Sequence, residues 1–380
     1  MFKIKKVQNT FLAVLSLFIS FLLIETGVRI FYKFKSQYIP HPYGLNIPDA
    51  KRSYKLAPNF RGFFLDQENH LISKAKTNSI GLRDYEYGEK KDNVYRILVL
   101  GDSFTFGSGV EMEDTFPKQL EILLNEGDKS RKYEVLNAGV QGYGTDQEFY
   151  FLEEWIDKLK PDLVIVGFYV ENDITDVMIG ALNHYIVKNG YLFDNQKHNA
   201  IEKEKNFMER HSQAYEFLEE RTQELMYKTG LARYVMRNRY VKPPLDMMLY
   251  LKELPPEIKD AYDKTEGYLK KISDLSMQKG AETLIMIIPH NMQVIEKVWY
   301  DWLKSYHQNP QDYSITKIND EIKDFAKGNN IVFFDLLDKQ RMEEQKTHLF
   351  LPADMHWNNE GHKLVAQDLY GFLSEKGLLK

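Results

Sequence analysis

Five short apolar runs recur along the chain, each followed by a stretch with helical spacing. They cover residues 95–100, 133–136, 162–168, 282–288 and 331–334. A run that is apolar at successive positions is buried on both faces, which marks a central strand of a parallel sheet. Helical periodicity at about 113–126, 146–158 and 257–279, and again from Gly361 to about Lys376, accounts for the connections. Pro161 follows the second of these helices as a stop signal. Strands alternating with helices predict an α/β fold, a three-layer sandwich around a central parallel sheet.

The remainder of the chain divides around that pattern. Residues 37–92 are polar and turn-rich, and read as an extended lead-in that wraps the core. The main domain is expected over 93–380, with a helical insertion at about 180–255 that reads as a cap, punctuated by Pro243-Pro244 and Pro255-Pro256. The charged stretch at 200–240 reads as a solvated helix face.

Residues 1–36 are different in kind. Lys3, Lys5 and Lys6 precede an apolar run from Phe11 to Ile24, and the helical pattern continues to Tyr32. At ~1.5 Å rise per residue, the longer stretch reaches about 33 Å, enough to cross a bilayer. Glu25 and Arg29 are spaced to pair on one helix face, and Phe31 and Tyr32 suit an aromatic belt. The segment is expected to be one transmembrane helix, an uncleaved anchor. A cleaved signal peptide and a buried soluble helix are the alternative readings. Basic residues lie on both sides of the run, so the body is placed outside the cytoplasm on layout alone.

Composition removes several functions. With no cysteine, a thiol nucleophile, a thiolate zinc site and a disulfide scaffold are all impossible. The formal net charge is -5; the head holds six basic side chains and one acid, so the body is the more acidic part. That balance argues against nucleic acid as a partner.

Chemistry in an open parallel sheet gathers beyond the carboxyl ends of its strands. The first strand is followed by Gly101-Asp102-Ser103-Phe104, the second by Asn137 to Gly144, the third by Glu171-Asn172-Asp173. After the fifth comes Asp354-Met355-His356-Trp357. A serine hydroxyl becomes nucleophilic when an imidazole takes its proton and a carboxylate fixes the ring tautomer. Ser103, His356 and Asp354 supply those three types. An oxyanion needs donors, and the candidates are the Ser103 N–H, the N–H of a glycine after the second strand, and the Asn172 amide.

These blocks, in this order, resemble those of the SGNH (GDSL-type) hydrolase family, over about 95–175 and 350–370. The resemblance implies Ser103 as nucleophile, His356 as base and Asp354 as its partner. It implies an oxyanion hole of Ser103, Gly142 and Asn172, with Gly139 the less favoured glycine. It also implies a flavodoxin-like SGNH sheet. Two departures stand out: one residue, not two, separates Asp354 from His356, and Val170 replaces the usual glycine before Asn172. The Asp-x-His-Trp sequence is similar to relatives of alginate-type O-acetyltransferases. The function implied is a membrane-anchored serine esterase or O-acyltransferase acting on acyl, chiefly acetyl, esters of cell-surface polysaccharide. A lysophospholipase or lipid esterase and a non-catalytic SGNH-like scaffold are the competing readings. The expected partners are an acylated carbohydrate or lipid substrate and the membrane; no cofactor is expected.

Plainer roles compete at several positions. Ser103 can serve as a helix N-cap, and Asp102 reads as a fixer of the turn. His362 reads as a structural residue of the last helix. Trp357 either stacks on a sugar ring as a substrate-binding residue or packs its own loop. Arg83 can clamp an anionic group, though a structural lead-in is the simpler reading. Asp354, His356, Glu360 and His362 have metal-ligand types without a tight ligand spacing.

Overall fold

The computed structural model describes residues 2–38, 45–65, 72–180, 182, 185–188, 191–194, 212, 214–215, 218, 244–351 and 354–379. Residues 1–41 and 196–241 form one compact unit, and residues 42–195 and 242–380 form another. The charged helix expected at 200–240 lies almost wholly outside the described residues.

The second unit is built on five strands: β5 (Val94–Gly101), β6 (Lys132–Gly139), β7 (Leu163–Tyr169), β10 (Glu282–Ile288) and β11 (Val332–Asp335). All pair in parallel, in the order β11-β10-β7-β5-β6. This is the flavodoxin-like order, in which the chain reverses direction across the sheet between the first and third strands. The strands occupy the five apolar runs: β10 coincides with its run, β5 and β6 extend one to three residues beyond theirs, and β7 and β11 are each shifted by one residue.

Successive side chains of a strand point to opposite faces, and the core divides accordingly. Leu98, Leu100, Val164, Val166, Ile285 and Ile287 face one layer. That layer contains α4 (Thr145–Leu159), α7 (Pro256–Gln278) and α10 (Lys317–Gly328). Ile97, Val99, Leu163, Ile165, Leu284 and Met286 face the other. There α3 (Phe116–Gly127) and α12 (Asn359–Glu375) pack. The sandwich is therefore three layers deep, as the alternation predicts.

The lead-in forms two hairpins, β1 (Asn46–Asp49) with β2 (Ser53–Leu56), and β3 (Arg61–Leu65) with β4 (Ile72–Lys76). From residue 42 onward it belongs to the same unit as the sheet. Tyr54 donates to the Gln141 carbonyl at 2.7 Å, and Tyr143 donates to the Tyr54 carbonyl at 2.6 Å. Buried Asp84 accepts the Asn137 amide of β6 at 2.6 Å and pairs with Lys118 at 2.7 Å. These bonds tie the lead-in to β6, to the loop that follows it and to α3. Within the expected insertion the described elements are a hairpin, β8 (Tyr185–Lys188) with β9 (Tyr191–Asp194), and α6 (Leu245–Met248).

In the first unit α1 runs over Phe2–Tyr38. Its Asn9–Phe31 stretch of 23 residues has mean hydropathy 2.2, long and apolar enough to cross a membrane. A signal sequence has the same character. Glu25 and Arg29 pair at 2.6 Å, as their spacing predicts, and Glu25 also accepts Ser212 Oγ and the Ala214 amide.

Candidate active site

The register of the sheet places three loops side by side. Gly101 of β5 is paired with Gly139 of β6 on one side and with Gly167 of β7 on the other. Ser103, Gly142 and Asn172 all lie a few residues beyond that line, at the switch point. Straight after β5 the chain makes a single helical turn, α2 (Ser103–Phe106). Asp102 caps its start by accepting the Phe104 amide at 2.9 Å, and Gly107, at φ +84°, closes its end. The turn sits directly on the strand ends because they are glycines. A side chain on Gly139 would collide with the Phe106 amide, and one on Gly101 with Thr105. Buried Asn137 adds a bond from its side-chain amide to the Thr105 carbonyl at 2.8 Å.

Arg83 holds the other side of that turn. Its guanidinium donates to the carbonyls of Phe106 and Gly107 at 2.8 Å each, Val110 at 2.7 Å and Lys74 at 3.1 Å. The side chain is fully buried. It is structural rather than an anion clamp, because both terminal nitrogens of the buried guanidinium bond backbone carbonyls. Burial pulls the guanidinium down to about 10.

His356 meets this turn from the far end of the sequence. Its Nε2 lies 2.7 Å from Ser103 Oγ, and its Nδ1 lies 2.8 Å from Asp354 Oδ1. The same carboxylate oxygen accepts the His356 backbone N–H at 2.9 Å. The single intervening residue therefore makes a tight turn in which one carboxylate holds both the backbone and the ring of the histidine. Burial pushes the Asp354 carboxyl up, but the His356 bond and charge outweigh it and hold it below the usual range. Phe104 packs against the His356 ring with centroids 5.0 Å apart, fixing it from the side.

The backbone donors differ in availability. The N–H groups of Ser103 and Gly142 have no acceptor among the described residues. The Gly139 N–H is taken by Asn137 Oδ1 at 3.0 Å, so of the two glycines only Gly142 retains a free donor. The Asn172 side chain approaches the buried Asp102 carboxyl, which burial raises to about 6.

Trp357 corrects the substrate-binding expectation. It is 0 % exposed, edge-on to Phe104 at 4.8 Å and bonded through Nε1 to Gln340 at 3.3 Å. No ring face is left for a sugar; the residue packs the loop. His362 is buried beside it and its Nδ1 accepts the Phe116 amide at 3.2 Å. Among the described residues no group of three or more His, Asp and Glu side chains is placed to hold a metal ion.

Sequence reasoning missed two features here. Glu148 and Asp173 lie fully buried behind Asp102 (both at most 1 % exposed), and burial, with repulsion from the Asp102 carboxyl, pushes both carboxyls well up. Glu171 and His290 form a second polar pair, 3.0 Å apart. Glu171 precedes Asn172, which was its available signal; His290 follows β10, a strand end without a recognisable block.

Burial also pulls the His362 ring down to about 3. A depressed histidine contributes stability that is complete above its unfolded value, near 6.5, and is lost as pH falls toward 3. The raised carboxyls act with the opposite sign, but they are common to the protein and its His362→Gln variant. The stability difference between the two is therefore expected to shrink on acidification, by up to about 1.4 kcal/mol per pH unit between about 6 and 4. Urea midpoints at pH 8, 6, 5 and 4 would test this, and a constant difference would refute it.

The fold and the site together define an α/β sandwich with a Ser–His–Asp arrangement at its switch point. No protein-family model and no curated protein matches the chain. Solved structures do. They include the psychrotrophic esterase EstA from Pseudoalteromonas sp., at 13% identity and TM-score 0.38, covering 75% of this chain and 98% of that one. An acetyl xylan esterase, AlAXEase, matches at 15% identity and TM-score 0.40, covering 73% and 99%. A member of the lipolytic G-D-S-L family from Veillonella parvula matches at 12% identity and TM-score 0.38, covering 74% and 98%.

Proposed function

We propose that this chain is a serine esterase or O-acyltransferase of the SGNH type, held at a membrane by α1, with its body outside the cytoplasm. The reading rests chiefly on the Ser103–His356 distance of 2.7 Å with Asp354 on the opposite ring nitrogen. With the Nδ1 proton donated to Asp354, Nε2 is left as the acceptor that a serine nucleophile requires. Ser103 Oγ attacks the ester carbonyl while its proton passes to Nε2. The free N–H groups of Ser103 and Gly142, with the Asn172 amide, face the oxyanion. His356 returns the proton to the departing alkoxide, and the acyl group stays on Ser103. Water or a sugar hydroxyl then gives its proton to His356 and takes the acyl group, and His356 passes that proton to the departing Ser103 oxygen, so hydrolysis and transfer share every protein group.

The substrate class we favour is O-acetyl ester on cell-surface polysaccharide, supported by the Asp-x-His-Trp likeness and the apolar helix. That helix would equally bring lipid esters within reach, which keeps a lysophospholipase as the second reading. A fluorophosphonate probe is expected to label Ser103 in the folded protein and not after denaturation. Acetylated xylan is expected to compete for labelling better than lysophosphatidylcholine; the reverse order would favour the lipid reading. No labelling at all would leave a non-catalytic scaffold.

A further inference from the structure

The mechanism above leaves the Glu171–His290 pair unused, although it adjoins the triad at three points. Tyr169 Oη donates to Glu171 Oε2 at 2.8 Å and lies 3.2 Å from the sulfur of Met355, the residue between Asp354 and His356. Phe104 touches both rings, with centroids 4.5 Å from Tyr169 and 5.0 Å from His356. Asn291, next to His290, donates to the Asp354 carbonyl at 3.4 Å. The pair is thus built onto the same loop that carries the base.

Its own bonding fixes its charge. His290 Nδ1 accepts the Met292 amide at 3.0 Å, so the ring proton sits on Nε2 and is donated to Glu171 Oε2. Oε2 therefore receives two donors. Burial pushes the Glu171 carboxyl up, but the His290 contact, the Tyr169 hydroxyl and the nearby His356 ring outweigh it and keep it below the usual range. A carboxylate only 18 % exposed is weakly screened, so its field reaches neighbouring groups.

We propose, on the ester-transfer reading above, that Glu171 is a positioning residue that stabilises the positive charge arising on His356 when it takes the Ser103 proton. Asp354 balances that charge by direct contact. Glu171 adds a second negative charge from the β7 side, across the Tyr169–Phe104 layer, and His290 and Tyr169 keep it in place. Among the described residues, Asp102 beside Ser103 and His362 on α12 also interact electrostatically with His356. Among the described residues neither is a bonding partner of Glu171, whose carboxylate partners are Tyr169 and His290, so a substitution there leaves both in place.

The test uses the full chain in detergent, with Glu171→Gln and Glu171→Asp. In E171Q the His356 midpoint, read by NMR of labelled histidine, is expected to fall by about half to one pH unit. The acid limb of kcat/KM for p-nitrophenyl acetate is expected to move down with it, and the plateau to fall about three- to tenfold with little change in KM. E171D is expected to restore most of both. A folded E171Q with an unmoved His356 midpoint would overturn the proposal. So would equal losses in both variants with the acid limb in place, which is what a merely structural role gives. The midpoint is read without turnover. Activity that survives loss of Ser103 would thus sink the ester reading, while the midpoint still decides the role of Glu171.

Discussion

Ser103→Ala, His356→Ala and the double variant are expected to lose ester turnover to the same extent, on the order of 10⁵-fold each. The equality follows from the geometry. His356 Nε2 has Ser103 Oγ as its partner at 2.7 Å, and without that hydroxyl the base has no proton to take. Without the base, the hydroxyl stays protonated at its ordinary, weakly nucleophilic value. Removing the second group after the first therefore costs almost nothing, whereas independent sites would give additive losses. The residual rate reports the oxyanion donors and binding alone. Steady-state kcat of the three variants, with circular dichroism to confirm folding, checks this. Additive losses, or a Ser103→Ala protein with near-normal turnover, would remove Ser103 from the nucleophile role. The serine is part-buried and its own turn is capped by Asp102, so alanine there is expected to leave the fold intact.

The sheet and this constellation were readable because they rest on local signals. An apolar run such as 95–100 is buried on both faces, so its strand follows from composition. The strand-end rule then collects Ser103, Asn172 and His356 on one edge without any coordinates. What the sequence hid depends on burial. Trp357 has the chemistry of a sugar platform, but Phe104, Phe116 and His362 enclose it, and nothing in the Asp-Met-His-Trp string announces that enclosure. Glu148 and Asp173 look like solvated helix charges in sequence, and only the packing of α4 against α5 (Asn172–Ile179) behind the turn shows them buried. Glu171 and His290 come from loops more than a hundred residues apart. The choice of Gly142 over Gly139 likewise needed the Asn137 side chain, which occupies the Gly139 N–H.

Arg83→Met is expected to destabilise the protein by about 3 kcal/mol and to lower kcat further than the loss of folded protein explains. Four backbone carbonyls, of Lys74, Phe106, Gly107 and Val110, now take their donors from this one guanidinium. Methionine fills similar volume but donates nothing, so the carbonyls of Phe106, Gly107 and Val110 are left without this donor in a dry interior. Removing the charge recovers part of the loss, because burying a guanidinium is itself unfavourable; that keeps the figure below the sum of four lost bonds. Lysine is not expected to rescue fully, since a single ammonium cannot fork between carbonyls on both sides of the turn. Urea unfolding should show a lower midpoint at an unchanged slope. The catalytic effect comes from position. Arg83 ties together both ends of the segment that begins three residues after Ser103, and a displacement of about 1 Å in a reacting group can cost on the order of 10²-fold in rate. A variant with the expected midpoint loss but normal kcat at low temperature, where the folded fraction is near unity, would show that Asn137 and Asp102 alone suffice to hold the nucleophile in place.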